Sequence, residues 1–466
     1  MPASMSRQLA KFVHELSFND LPPKVVDKAK AVTLHALATG LVGYTLPEAQ
    51  HSIQLIKKEE SVARGGSTIL VDGAKVTKAG SAFVNGELIH MSGQSDTYRM
   101  YTHPGLTIFP GALAAVEEAG ASGKEFITAI VAGYEVQERL TGDFVPSVVA
   151  RGFHSGPLFG IFGAAVAAGK LMGLDEDQMN SAIALCVSLA GGNLEAPRGG
   201  GQLIREPASA RKAILAVLLA RDGAKGGETA LEGDAGFFHS FVGNNKGKLS
   251  YVFRGRKSTN LDNITAELGS RWEILDTIHK MYATGGFNMP HVDVTAKLCA
   301  DNNIRPQDVE KVELVVNWLE TNIAPAFPSN APSGPRIGSS HYFAAYGIVK
   351  RGYPVVGRRI GRSTGGESDD PPEVLELMKK VTVIPSKTQT LFGPRITIYT
   401  KNGKSYSVQS TGREFMWDLK EEIRRSQEFV PGMPIPKSQF EEIVAAVSGL
   451  DKLSKADKLI QLTLKK

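Results

Sequence analysis

The sequence predicts a multidomain α and α+β fold, with a large all-helical domain built from both chain ends and a smaller α+β domain inserted between them. Three observations lead there. At 466 residues the chain exceeds what one hydrophobic core usually organises, so at least two domains are expected. Apolar residues recur at helical spacing through the first half and again towards the C-terminus. Between those regions the pattern changes to the alternation of half-buried strands. The resulting boundaries put the helical domain at 1–265 and 410–466, with the α+β domain at 266–409.

Each element has a local reason. The segment LPPKVVDKAKAVTLHALATGLVGY (21–44) opens on prolines, spaces Val25, Ala29, Val32 and Ala36 for one helical face, and meets Gly40 and Gly43 near its end. Similar spacing predicts helices over 108–119, 124–141, 158–172, 175–189 and 208–221. Gly173 can close the third of these new helices and Asp175 can cap the next. Later, VEKVELVVNW (309–318) alternates as a strand does, as do 381–384 and 396–399. Asn402-Gly403 then reads as a hairpin turn into 406–408. A helix over 341–351 and a Gly- and Pro-rich loop over 357–372 complete the inserted domain.

Composition removes several function classes. With 42% hydrophobic and 22% charged residues the chain is of ordinary globular make-up. The first twenty residues carry Arg7, Lys11, His14, Glu15 and Asp20, so no secretory signal is expected there. The apolar run at 160–169 is too short to cross a bilayer. Two distant cysteines, Cys186 and Cys299, fit a reducing, cytoplasmic location and core packing, and they exclude a disulfide scaffold or a cysteine-rich zinc site. A net charge of +5 without a basic run argues against nucleic acid, while it is compatible with an anionic substrate. Walker, Rossmann, HExxH and nucleophile-elbow motifs are all absent from the sequence, so no cofactor and no metal site are expected.

Three stretches could carry chemistry. The densest is HMSGQSDTYRMYTHPG (90–105), which sets Asp96, Thr97, Tyr98, Arg99, Tyr101 and His103 within eight positions between two helical regions. Loops held by a rigid scaffold are where binding residues concentrate. The second is RGFHSG (151–156), where His154 and Ser155 precede an apolar helix. They could simply cap it, yet a helix N-terminus also attracts carboxylates. The third is Arg198, Gln202 and Arg205 around the glycines at 199–201, where a solvated loop explains the pattern as well as carboxylate recognition does. His14, His35, His51, His239 and His279 show no partners in sequence and are read as structural or surface residues.

Taken together, NGELIHMSGQSDTYRMYTHPG (85–105), HSGPLFGIFGAAVAAGKLMGL (154–174) and SSHYFAAYGIVKRGY (339–353) resemble blocks of the MmgE/PrpD family, in order and spacing, and the likeness covers nearly the whole chain. That family includes 2-methylcitrate dehydratase, cis-aconitate decarboxylase and iminodisuccinate epimerase. The resemblance implies a helical domain with a smaller α+β lid, a site between them and a homodimer. His103, Thr97, Asp96 and His154 match family site positions. Gly93 stands where the decarboxylases and dehydratases usually carry an aspartate, and Gln202 where a lysine is usual. Met289 replaces a histidine, with His291 two positions on, and Phe343 replaces the lid tyrosine, beside Tyr342.

Those departures, with Arg99, Arg198 and Arg205 retained, favour a more anionic substrate. The expectation is therefore a cofactor-independent epimerase acting alpha to a carboxylate of a small polycarboxylate such as iminodisuccinate. Such a reaction needs two proton carriers flanking the carbon. His103 and His154 are the first choices, with Tyr98, Lys280 and Tyr342 in reserve, and Arg99, Arg205 and the amides near His154 stabilise the enediolate. Asp96, Thr97, Arg198, Gln202, His291 and Tyr342 would contribute to substrate binding. The alternatives are a hydro-lyase or decarboxylase acting on a tricarboxylate, in which Lys280 and His291 compensate for the substitutions, and a non-catalytic polyacid-binding relative.

Overall fold

The computed structural model describes residues 3–194, 204–249, 261–322, 334–353 and 371–465. Arg198, Gln202, the glycines at 199–201 and most of the polar stretch at 357–372 lie outside these residues. The chain divides into two compact units, Met1–Thr277 with Trp417–Lys466, and Ile278–Met416.

The first unit is helical. In chain order it holds α1 (Met5–Glu15), α2 (Pro23–Tyr44), α3 (Pro47–Glu60), α4 (Lys78–Met91), α5 (Gly105–Ala119), α6 (Gly123–Thr141), α7 (Val145–Ala150), α8 (Ser155–Leu171), α9 (Glu176–Leu189), α10 (Arg205–Arg221) and α11 (Asp262–Thr265). A two-stranded antiparallel ribbon, β1 (Ser67–Thr68) and β2 (Lys75–Val76), precedes α4. The second unit contributes α12 (Met289–Asp301), β3 (Val309–Asn317), α13 (Trp318–Asn322), α14 (Ser340–Lys350), α15 (Pro372–Met378), β4 (Val381–Ser386), β5 (Arg395–Thr400) and β6 (Ser405–Gln409). The chain then returns to the first unit as α16 (Leu419–Ser426), α17 (Lys437–Ser448) and α18 (Lys458–Thr463). None of the helices among the described residues is long and apolar enough to cross a membrane.

Most elements fall where periodicity puts them, and the differences have local causes. Asp175 caps α9 through a full capping box with Gln178. Helix α10 begins one turn before its apolar repeat, with Pro207 in the first turn where a missing N–H costs nothing. Helix α4 is buried on nearly all sides, so it lacks the one-sided apolar stripe that marks a surface helix. In the second unit the sheet order is β4-β3-β5-β6. Strand β3 pairs parallel to β4 and antiparallel to β5, and Gly403 adopts φ +80° in the turn that joins β5 to β6.

Helix α8 is the centre of the first unit. All residues from Ser155 to Gly169 are buried, and the helix packs against α5, α6, α9 and α10. Its approach to α5 and α6 depends on missing side chains. A Cβ on Gly111 would lie 2.8 Å from the Ala164 carbonyl oxygen, and one on Gly133 would lie 2.9 Å from that of Gly163.

Two buried basic side chains join the returning C-terminal segment to this core. Lys28 on α2 donates to the carbonyl of Thr277 at 2.6 Å and to that of Trp417 at 3.1 Å, the residues where the chain leaves and re-enters the unit. Burial draws its pKa down to about 8, against the pull of Glu422, Asp96, Glu138 and Asp276. His35, about two turns further along α2, meets Glu422 of α16 at 3.0 Å through Nδ1 and the Gln94 carbonyl at 2.6 Å through Nε2. Both partners accept, so both ring nitrogens carry hydrogen. Burial opposes the charge, yet Glu422 and the two hydrogen bonds outweigh it and raise the His35 pKa.

Two outcomes follow from this packing. Gly133→Ala should lower unfolding stability by about 1–3 kcal/mol in urea, because a methyl group cannot enter the α6–α8 contact without displacing backbone. His35→Gln should cost about 3–5 kcal/mol near neutral pH by stranding the Glu422 carboxylate. Because folding raises the His35 pKa, its charge-dependent contribution is complete below the unfolded value near 6.5 and is lost as pH rises through the higher folded value. The wild-type advantage over His35→Gln in urea melts should therefore be largest at acid pH and shrink as pH rises; an advantage that grows with pH would exclude the charged pair.

Candidate active site

The polar loop between α4 and α5 is fastened from behind before it presents anything. His35 holds the Gln94 carbonyl. Two residues on, Asp96 is 3% exposed and accepts from the Tyr134 hydroxyl through Oδ2 and from the Gly105 amide at 2.9 Å through Oδ1. Gly105 leaves room for it, since a Cβ there would sit 2.9 Å from the same oxygen and the carboxylate would have to shift. Burial raises the Asp96 pKa despite these donors.

Beyond Asp96 the loop doubles back. The Tyr98 amide donates to the Thr102 carbonyl at 2.9 Å, and the Tyr98 hydroxyl donates to Glu273 Oε2 at 2.6 Å. The Arg99 guanidinium lies 4.5 Å above the Tyr98 ring and pairs with Asp276 at 3.3 Å. Arg99 has φ +51° and Tyr101 φ +59°, a left-handed backbone that is rare for side chains of this size. Each such residue costs on the order of 1–3 kcal/mol and tends to cluster at functional sites. The hydrogen bonds that hold the strain come from the start of α8, where Ser155 Oγ donates to the Tyr101 carbonyl at 2.7 Å and accepts from Thr102 Oγ1 at 2.9 Å.

This fastening brings two imidazoles close together. Partly exposed His103 and nearly buried His154 have ring centroids 6.3 Å apart at a 32° tilt, and Tyr101 meets His154 edge-on at 5.9 Å. His103 Nδ1 lies 2.9 Å from the Asp96 carbonyl and 3.0 Å from Thr97 Oγ1. A carbonyl only accepts, so the neutral ring carries its hydrogen on Nδ1 and its lone pair on Nε2. His154 is the N-cap of α8, and its Nδ1 accepts from the Gly156 amide at 3.2 Å.

Glu206, in the first turn of α10, lies beside His154 with no exposed surface. Its Oε1 is 3.3 Å from His154 Nδ1, and its Oε2 is 3.8 Å from both His90 Nδ1 and Arg205 Nε. Among the described residues no group of three or more His, Cys, Asp or Glu side chains could hold a metal ion.

The expected site residues separate into groups. Thr97, His103 and His154 come together. Arg205 adjoins Glu206, and its Nε and Nη1 are buried without a hydrogen-bond partner among the described residues. Burial lowers its pKa, with Glu206 opposing.

Three of the expected residues are engaged by the protein itself. Asp96 anchors the loop, with both its oxygens accepting from neighbouring groups. Tyr98 is 1% exposed and donates its hydroxyl to Glu273. Arg99 is paired with Asp276 and lies 3.7 Å from Glu273.

Lys280, His291 and Tyr342 belong to the other unit. Lys280 is 5% exposed and donates to the Thr284 carbonyl at 3.4 Å. His291 is wholly buried, with Nδ1 3.1 Å from Asn288 Oδ1, and burial beside His341 brings its pKa down to about 3. It is therefore a neutral group at physiological pH. Tyr342 has no exposed surface and packs against Phe343 and Tyr346 with ring centroids at 5.3 and 5.6 Å, so its ring is core.

Pattern reading passed over Glu206, His90, Glu273 and Tyr134. A glutamate between an arginine and a proline at a helix start was the one available signal for Glu206.

Asp96→Ala would leave the Tyr134 hydroxyl and the Gly105 amide without an acceptor. It should lower stability by about 1–3 kcal/mol and speed amide exchange at Gly105; unchanged exchange would show that the loop does not depend on this carboxylate.

The same residues lie inside a region shared with known proteins. The profile of the MmgE/PrpD N-terminal domain matches residues 7–250. The cis-aconitate decarboxylase of Aspergillus terreus is 24% identical over 485 aligned residues, covering 99% of this chain and 96% of that protein. The cis-aconitate decarboxylase-like protein oryM of Aspergillus oryzae is 27% identical over 63% of this chain and 61% of its own length. Human cis-aconitate decarboxylase is 30% identical over 51% of this chain and 50% of its own length. With more than half of its length matched by that domain, the chain belongs to the MmgE/PrpD family of enzymes.

Proposed function

We propose that the protein is a cofactor-independent lyase that acts on a small tricarboxylate such as cis-aconitate or 2-methylcitrate, with His103 and His154 as its proton carriers. The observation that carries this reading is the pair of imidazoles 6.3 Å apart at the start of α8. It is supported by the full-length likeness to a cis-aconitate decarboxylase. A cytoplasmic homodimer belongs to the same proposal.

The chemistry needs a negative charge to develop beside a carboxylate and a proton to move at the same carbon. In decarboxylation the bond to the departing carboxylate breaks, its electron pair spreads into the remaining conjugated acid, and CO2 leaves. An imidazolium then supplies the proton that restores a neutral carbon. In dehydration an imidazole removes the proton and hydroxide departs from the adjacent carbon. Imidazole suits either step because its ordinary pKa lies close to neutral. The Nε2 lone pair of His103 is the base, and buried Arg205 with the α8 amides favours the developing negative charge.

Epimerisation is the second reading. Gly93 in place of an acidic residue favours it, since a tetracarboxylate such as iminodisuccinate would meet less repulsion there. It uses the same two histidines, one on each face of the carbon.

One tube distinguishes them. Purified protein in deuterated water, without added metal, receives cis-aconitate, 2-methylcitrate or a single stereoisomer of iminodisuccinate, followed by proton NMR and CO2 detection. Loss of CO2 or a new conjugated acid is the expected result. Appearance of the other iminodisuccinate diastereomer with α-deuteration would replace the lyase by the epimerase, and saturable binding with no exchange would exclude both. His103→Ala and His154→Ala should each reduce turnover by at least roughly 100-fold, and near-normal turnover removes that residue from the mechanism.

A further inference from the structure

Glu206 has no role in any reading so far, yet its position is exacting. It has no exposed surface, and neither carboxylate oxygen makes a well-aligned hydrogen bond among the described residues. Room for it is made by glycine, since a Cβ on Gly156 would lie 2.7 Å from Oε1. A carboxylate placed this way is costly unless a cation or a proton compensates it.

Among the described residues His154, His90 and Arg205 face it, and Glu206, Tyr101 and His103 face His154. His154 Nδ1 has two candidate partners at nearly equal range. The Gly156 amide, at 3.2 Å, requires Nδ1 to be a bare acceptor. Glu206 Oε1, at 3.3 Å, requires a hydrogen on Nδ1 when the carboxylate is ionised, because two lone pairs cannot face each other at that distance away from water. The choice decides reactivity. With Nδ1 bare, the neutral ring already carries hydrogen on Nε2 and cannot accept another proton there. With hydrogen on Nδ1, Nε2 holds the lone pair and can take a proton or, from the imidazolium, give one.

We propose that Glu206 is the positioning residue of His154, the buried carboxylate that takes the Nδ1 hydrogen bond and so makes Nε2 the nitrogen that exchanges the substrate proton. Glu206 takes the Nδ1 hydrogen of the neutral and of the charged ring in place of the Gly156 amide contact, and Arg205 offsets the carboxylate while His154 is neutral. This inference rests on the proposed role of His154, and its test is read separately from turnover.

The test uses the full-length protein labelled with nitrogen-15, with imidazole nitrogen–proton correlations recorded across pH and His154→Asn used to assign the His154 signals. Wild type should show hydrogen on His154 Nδ1. In Glu206→Gln that hydrogen should move to Nε2, and the His154 titration midpoint should fall by about one pH unit or more, as expected on removing an adjacent opposite charge. The same variant should lose about 10- to 100-fold in kcat with KM changed less than about twofold, with Glu206→Asp restoring part of the loss and the wild-type tautomer. An unchanged tautomer and midpoint in Glu206→Gln would overturn the proposal. If that variant does not fold, a wild-type His154 whose neutral form carries its hydrogen on Nε2 overturns it alone. Should no polycarboxylate react while the tautomer still depends on Glu206, the proposed reaction fails and the positioning role stands.

Discussion

His35 and Glu422, paired at 3.0 Å with almost no exposed surface, connect α2 to a helix that arrives 387 residues later, and the other nitrogen of the same ring holds the Gln94 carbonyl. Three stretches remote in sequence meet at that imidazole. Buried ion pairs add little net stability compared with well-packed apolar residues, but losing one partner strands a charge in the core. We read this pair as a device of register. The C-terminal segment can dock in one position only, and the polar loop begins from a fixed point.

From that point the loop is built by spending polar groups on itself. Asp96 holds Tyr134 and Gly105, Tyr98 holds Glu273, Arg99 pairs with Asp276, and Ser155 sews the turn to α8. These bonds offset the left-handed backbone at Arg99 and Tyr101. The result is economical in reactive groups, because most of a very polar stretch becomes scaffold. His103 and His154 are what the scaffold brings together, at the N-terminal end of a helix buried along nearly its whole length.

A good part of this was legible in advance. Helix α8 announced itself as an unbroken apolar run, Asp175 as a cap, Asn402-Gly403 as a hairpin, and the His103 and His154 blocks as family motifs. The same polarity that drew attention to Asp96, Tyr98 and Arg99 left their partners unread, because type and spacing reveal a polar group but not its partner. Their partners lie 38, 175 and 177 residues away. Gly93 and Gln202 weighed toward an epimerase, whereas the relatives that match along the chain carry the name of a decarboxylase.

The sequence by itself determined what depends on near neighbours: helices and strands from their periods, caps and turns from single residues, and family membership from three blocks in order. Those features are decided within a few residues, where backbone geometry leaves few options. Only the tertiary structure decided which charges are spent internally, which nitrogen of His103 holds the lone pair, and that a glutamate on α10 stands behind His154. Each of these rests on a donor meeting an acceptor from another element, and no local pattern records which of several polar groups will arrive within about 3 Å of another once the apolar faces have closed.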